Sequence, residues 1–250
     1  MSRASISEIV SEPGVPAYRN VARAIGDRIL RGELTVGQSL PSETDLAESL
    51  GVNRSTMREA IRALEENGML RRRPGGKRLF VSAPEDRDVA VRFKAAIVLH
   101  EISFREVWEA MCYLEPAISV AAADHISDDD ILQLQDNVDR SRHASASFED
   151  LARYDFEFHS IIAKASKNRV MQLCREPISQ LFYPTFLQMM QRLNVTERLI
   201  FAHQRILDGL RARDADMTRE WMLKHIVDAR RGYELANLDI DLPIVWHDAR

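Results

Sequence analysis

Four polar side chains in this 250-residue sequence have the types and spacing of a metal-binding set. Asp155 and His159 stand four residues apart, which puts them on one face of a helix. His203 and His225 lie on later segments. Each sits within or beside an apolar helical stripe: Leu151, Phe158 and Ile162 for the pair, Leu199, Ile206 and Leu210 for His203, and Met222, Ala229 and Tyr233 for His225. That patterning turns all four inward. A lone inward histidine is ordinarily a hydrogen-bonded core residue. Three of them with a carboxylate cost too much to bury unless something pairs them. A divalent cation bound by three imidazoles and a carboxylate would do so, and hydrogen bonding within the core is the alternative that spacing alone leaves open.

A second set is cationic. Arg54, Arg58 and Arg62 recur every four residues, opposite Met57, Ala60, Ile61 and Leu64, so one helix packs on one side and offers cations on the other. Such a stripe is often only a solvated face. Here the stretch from Leu40 to Gly68 reads as two short helices around a tight turn, the layout of a helix-turn-helix. Asn53 is placed to cap the second helix, leaving Arg54, Ser55 and Thr56 in its first turn beside free backbone amides. Arg71, Arg72, Arg73, Lys77 and Arg78 follow around Pro74-Gly75, which suits the tip of a type II hairpin turn able to reach phosphate.

The elements that must position these sets are helical. A first helix covers 18–31, with apolar Tyr18, Val21, Ala22, Ile25 and Ile29. Ser42 and Asp45 have capping-box spacing for the next. Beyond a short charged segment, helical stripes cover 89–99, 104–123, 128–143, 148–165, 169–193, 197–213 and 217–236. Pro177 and Pro184 should bend or split the fifth of these, and Ser127, Thr196 and Asp214 are candidate N-caps. The expected fold is mostly α: a winged helix-turn-helix of three helices plus a β-hairpin wing, then an all-helical antiparallel bundle of six or seven helices. The expected division is an arm at 1–16, the winged unit at 17–82, a linker at 83–88, the bundle at 89–238 and a tail at 239–250.

Charge follows that division. Residues 17–82 carry 12 Lys and Arg against 8 Asp and Glu, whereas 83–250 carry 21 against 28, as expected when one domain meets phosphate and the other does not. No apolar run is long enough for a membrane span, and the first sixteen residues lack the apolar core of a signal peptide. Two cysteines, Cys112 and Cys174, are too few for a disulfide framework and fit a reducing cytoplasm.

Residues 18–82 resemble the winged helix-turn-helix of the GntR family of bacterial repressors. The match runs through Leu40-Pro41-Ser42-Glu43, Leu46-Ala47, Leu50-Gly51-Val52, Arg54 to Ala60, Leu64, Gly68 and Leu79-Phe80-Val81. The resemblance implies that Asn53, Arg54, Ser55, Thr56 and Arg58 occupy DNA-contacting positions, with Thr44, Gly76 and Lys77 nearby. Thr44 stands where many relatives carry a longer polar residue, and Arg62 lies a turn beyond the groove-facing end. The remainder is similar to the FCD effector domain of the FadR branch, through Leu114-Glu115-Pro116, Asp155-Phe156-Glu157-Phe158-His159, Asn168, His203-Gln204-Arg205-Ile206-Leu207, Asp214 and Met222 to His225. That similarity implies a divalent ion held by Asp155, His159, His203 and His225 at the floor of an effector pocket, zinc before nickel, manganese or cobalt. Many such domains place an arginine four residues before the Glu of the Leu-Glu pair; here that position is Met111.

The expectation is therefore a cytoplasmic homodimeric regulator, acting as a repressor on a palindromic double-stranded DNA operator and controlled by a small organic acid bound on the metal. Two rivals come from other classes. In one the ion itself is the signal; in the other the metal activates water for hydrolysis, although no separate nucleophile or general-base motif accompanies the ligands.

Overall fold

The computed structural model describes residues 14–143, 147–193 and 195–244. Among them the chain forms ten α-helices and one two-stranded sheet, divided into two units at Asp88 and Val89. The first unit holds α1 (Ala17–Leu30), α2 (Glu43–Ser49), α3 (Arg54–Glu66), β1 (Leu70–Arg72) and β2 (Leu79–Val81). α2 starts at a reciprocal cap: the Asp45 amide donates to Ser42 Oγ at 3.2 Å, and the Ser42 amide donates to Asp45 Oδ2 at 3.3 Å. α3 starts where the Thr56 amide donates to Asn53 Oδ1 at 2.8 Å. Met57, Ala60, Ile61 and Leu64 are all at most 2 % exposed and pack with Val21, Ile25, Leu46 and Leu70. Fully burying a side chain of this size contributes about 1.5–3 kcal/mol, so the stripe fixes which face of α3 remains outside.

β1 and β2 pair antiparallel, with Leu70 opposite Val81 and Arg72 opposite Leu79. At their turn Gly75 has φ 72° and the Gly76 amide donates to the Arg73 carbonyl at 2.9 Å, as a type II turn requires. Two of the five wing cations do not reach its tip. Arg71 is paired with Glu85 and with Asp88, and Arg72 with Glu43 at 2.7 Å and Glu65 at 3.0 Å. Sequence spacing counted them as phosphate ligands because nothing local reveals carboxylates that arrive from α2, α3 and residues 85–88.

The second unit consists of α4 (Asp86–Leu99), which starts just before the boundary, α5 (Phe104–His125), α6 (Asp128–His143), α7 (Phe148–Ala165), α8 (Arg169–Arg192), α9 (Thr196–Ala212) and α10 (Ala215–Leu235). α5 packs most extensively on α10, and α10 next on α9. One apolar cluster joins α5, α6, α7, α9 and α10; a second, around Phe104, Leu151, Phe186, Met190 and Tyr233, draws in α8. Two local details differ from the sequence expectation. Pro177 and Pro184 do not split α8, which runs unbroken through both; a proline removes one donor, and packing along the rest of the helix compensates. Thr196 is already inside α9, whose N-cap is Val195 with no side-chain cap bond. Ser127 and Asp214 do cap, accepting from the amides of Asp130 and Met217.

Residues after Leu238 carry no helical period, yet those described pack onto the start of α5. The Arg105 amide donates to the Ile240 carbonyl at 2.8 Å, the Ile244 amide to the Ile102 carbonyl at 2.9 Å, and Arg105 Nη2 to Asp241 Oδ2 at 2.9 Å.

Candidate metal centre and nucleic-acid interface

Five helices bring polar side chains to one point in the second unit. α7 supplies Asp155 and His159 one turn apart. α9 and α10 form an antiparallel pair around Arg213, which takes the left-handed conformation at φ 53°, and Asp214, which caps α10. His203 lies ten residues before Arg213 and His225 eleven after Asp214, so at about 1.5 Å of rise per residue the two rings stand level. The crossing is close: a Cβ on Gly209 would fall 2.6 Å from Thr218 Oγ1 and 3.0 Å from the Thr218 amide nitrogen.

The three imidazoles converge through Nε2. His159 and His225 approach at 3.0 Å, and Asp155 Oδ1 lies 3.1 Å from His203, 3.5 Å from His225 and 4.0 Å from His159. All four donor atoms lie within 4.8 Å of one another. A tetrahedral set with bonds of about 2.0–2.1 Å would have donors about 3.3 Å apart, so these separations scatter around what a divalent ion needs. The three rings are at most 8 % exposed, and His203 stacks on Phe158 with centroids 4.0 Å apart.

The charge balance also favours a bound cation. Burial pushes the Asp155 carboxyl up, but His203, His225 and His159 outweigh it and hold the group well below the usual carboxylate range. Burial lowers His203 to about 4. His159 is raised despite its burial, because Glu115 and Asp155 stabilise its charged form. The cluster therefore sets an ionised carboxylate among imidazoles, a donor set suited to a divalent ion. His203 Nδ1 finds no partner among the described residues.

Two charged residues that sequence spacing did not assign complete the site. Glu115 of α5 is fully buried and accepts from His159 Nδ1–H at 3.0 Å and from Arg175 Nε–H of α8 at 2.7 Å. Burial opposes its ionisation, but Arg175 and His159 prevail and bring it to about 2. An ionised Glu115 makes His159 Nδ1 the donor and leaves Nε2 free to face the cluster, the arrangement that orients a metal-binding histidine. Glu115 stands in the Leu114-Glu115-Pro116 motif, an acid in an apolar stripe, which was its one signal. Arg175 gave none, since its partner lies 60 residues earlier. A small cleft opens beside the cluster, lined by Asp155, His159, His225, Glu115 and Arg175 together with apolar groups that include Met111. No helix among the described residues is long and apolar enough to cross a membrane.

In the first unit, Asn53, Arg54, Ser55 and Arg58 are exposed on α3, opposite its buried stripe; Thr56 is half-buried. Asn53 Oδ1 is occupied by the Thr56 amide and the Ser55 hydroxyl, which donates at 2.7 Å, so only the amide nitrogen of Asn53 remains for a ligand. Arg54, Arg58 and Arg62 make no ion pair among the described residues. Thr44 is half-buried on α2, and Gly76 and Lys77 are exposed in the hairpin. These eight positions thus occupy three elements. Arg72 joins the three: besides Glu43 of α2 and Glu65 of α3, its Nη1 donates to the Lys77 carbonyl at 2.8 Å.

Comparison with known proteins matches residues 17–79 to bacterial regulatory proteins of the gntR family and residues 106–228 to the FCD domain. The chain is 27% identical to the HTH-type transcriptional regulator LutR of Bacillus subtilis, over 82% of this chain and 97% of that protein. It is also 27% identical to the Uxu operon transcriptional regulator of Escherichia coli, over 89% of each. Among solved structures, a GntR protein of Streptococcus agalactiae aligns with a TM-score of 0.63 at 29% identity, covering 86% of this chain and 99% of that one.

Proposed function

Because this chain belongs to the GntR family of bacterial regulatory proteins and carries an FCD domain, we propose that it is a ligand-responsive transcriptional regulator that binds a palindromic operator as a homodimer and takes a small organic acid on a metal in its helical unit. The observation that carries the effector reading is the convergence of three Nε2 atoms and Asp155 Oδ1 at the wall of a cleft. Asp155, His159, His203 and His225 would hold the ion, and Glu115 would orient His159. When bound, a divalent ion supplies a concentrated positive charge for an anionic ligand. Three nitrogens and an oxygen suit zinc, nickel, cobalt or manganese, with zinc the first choice.

On the DNA side, Arg54 and Arg58 are the cations at the start of α3 that make no ion pair among the described residues, and Ser55, Thr56 and the amide nitrogen of Asn53 lie beside them. Lys77 and the backbone at Gly76 provide a hairpin contact to phosphate, and Thr44 a shorter contact from α2. Two copies can occupy half-sites about 34–36 Å apart. An effector then regulates by binding more tightly to one arrangement of the dimer than to the other, and relief of repression is the direction we favour.

The test is direct. Metal content of the purified chain and of an Asp155→Ala/His159→Ala double variant would be measured, and operator affinity followed with and without metal and organic acids. About one ion per chain, lost in the variant, together with an acid-dependent change in operator affinity, is expected. A response to free metal alone makes the ion the signal. Turnover of esters or amides that disappears in His203→Ala makes the bundle an enzyme. Full operator affinity in Arg54→Ala and Arg58→Ala variants would remove α3 as the reading helix.

A further inference from the structure

The cleft beside the metal set has a polar end and an apolar wall, and the polar end is dominated by Arg175. Only 2 % of its side chain is exposed. Its Nε–H donates to Glu115 Oε1; its Nη1 donates to Ser160 Oγ at 3.2 Å and lies 3.5 Å from Glu176 Oε2. The guanidinium carbon lies 5.5 Å from the centroid of the Phe156 ring. A guanidinium has five N–H donors, and Nη2, which carries two of them, meets no acceptor among the described residues. Nη2 is not among the enclosed side-chain atoms that lack a partner, so it keeps contact with the cleft that Arg175 lines, where a ligand acceptor can reach it.

Beyond Arg175 and the metal set, the cleft offers little to a polar ligand. Both Glu115 oxygens are taken, by His159 and Arg175. Ser179 already donates its hydroxyl to the Glu176 carbonyl at 2.9 Å, leaving only oxygen lone pairs. Met111, Phe182, Phe186 and Ile226 supply hydrocarbon. The geometry points to a monocarboxylic acid with a short apolar body, its carboxylate taking Arg175 Nη2 beside the metal set and its hydrocarbon lying against those four side chains. Arg175 is thus the residue that selects for the acid, in the pocket where Met111 offers no charge. The inference rests on the proposal that this cleft is the effector site. A carboxylate matches planar N–H donors, whereas the hydroxyls of a polyhydroxylated acid that extend past the metal set would lie against hydrocarbon without a partner. Discrimination of about a hundredfold is the scale expected for an apolar pocket facing an added hydroxyl.

The test uses the full-length, metal-loaded protein with three probes: 3-methylbutanoate, its neutral isostere 3-methylbutanamide, and gluconate. Isothermal titration or thermal shift should show 3-methylbutanoate binding at least tenfold more tightly than either of the others. In Arg175→Lys the acid should bind at least tenfold more weakly, with metal content measured on the same sample. If that variant also loses metal or fails to fold, Met111→Gln decides: an amide in the apolar wall should narrow the preference for 3-methylbutanoate over gluconate. Gluconate binding as tightly as 3-methylbutanoate, binding of neither acid, unchanged acid affinity in Arg175→Lys, or an unchanged preference in Met111→Gln each overturns the inference. Metal content and operator binding report separately on the underlying proposal, so its failure is distinguishable from this one.

Discussion

His159 is held from both sides, by the metal set at Nε2 and by Glu115 at Nδ1, and its ring is buried. Glu115→Gln keeps the shape of the partner but removes the charge that fixes the His159 proton. Metal affinity should fall about 10–100-fold in a competition titration against a chelator, with helical content unchanged. On α3, Arg58→Ala should weaken operator binding by about 1–3 kcal/mol and relax base preference at one position, and Arg62→Ala should do neither. An anisotropy titration against operator and scrambled duplexes reads both effects. The four proposed metal ligands were legible because their types are rare and each lies in an apolar stripe. Glu115 and Arg175 were not, because an acid and a base in separate helices become a buried pair only when α5 and α8 meet. Periodicity locates a face but says nothing about what the opposite face contributes.

Helices and the wing were read closely because their signals are local: capping at Ser42 and Asn53, φ 72° at Gly75, and an unbroken apolar stripe in α3. What failed at this scale was non-local. Arg71 and Arg72 look like wing-tip cations and instead meet carboxylates from outside the hairpin. Arg72 and its partners are each about 30 % exposed, so each of its ion pairs contributes roughly 0.2–1 kcal/mol, and its larger effect is positional. Arg72→Ala should lower operator affinity with little change in the salt slope, whereas Lys77→Ala should reduce that slope by about 1. Affinity measured at several salt concentrations separates the two. In the other unit, Gly209→Ala places a methyl against the backbone of Thr218. The overpacking should destabilise by about 1–3 kcal/mol, outweighing the gain of up to about 1 kcal/mol in helix propensity, and a denaturant midpoint reads the difference.

At the scale of the molecule, the four proposed metal ligands lie entirely within the second unit, so gain or loss of an ion there should act on that unit alone. An ion present at a hundred times its dissociation constant stabilises by about 2.7 kcal/mol. At about 2–4 °C per kcal/mol for a unit of this size, chelation should lower one melting transition by roughly 5–10 °C and leave the other in place. A scan in which both transitions move equally would contradict this. Charge asymmetry and the switch from a hairpin to unbroken helices made the architecture readable from sequence. The segment after Leu238 was not readable, since it packs through backbone bonds at Ile240 and Ile244 rather than through a periodic stripe. Those bonds bring residues 240–244, beyond α10, beside the start of α5, at 102–105. From α5 onward the bundle is therefore a nearly closed loop of chain, the arrangement that tolerates circular permutation. A permuted bundle with these ends joined and new ones opened between other helices should still assemble the same four metal donors, because the order in which the helices are connected is separable from the way they pack.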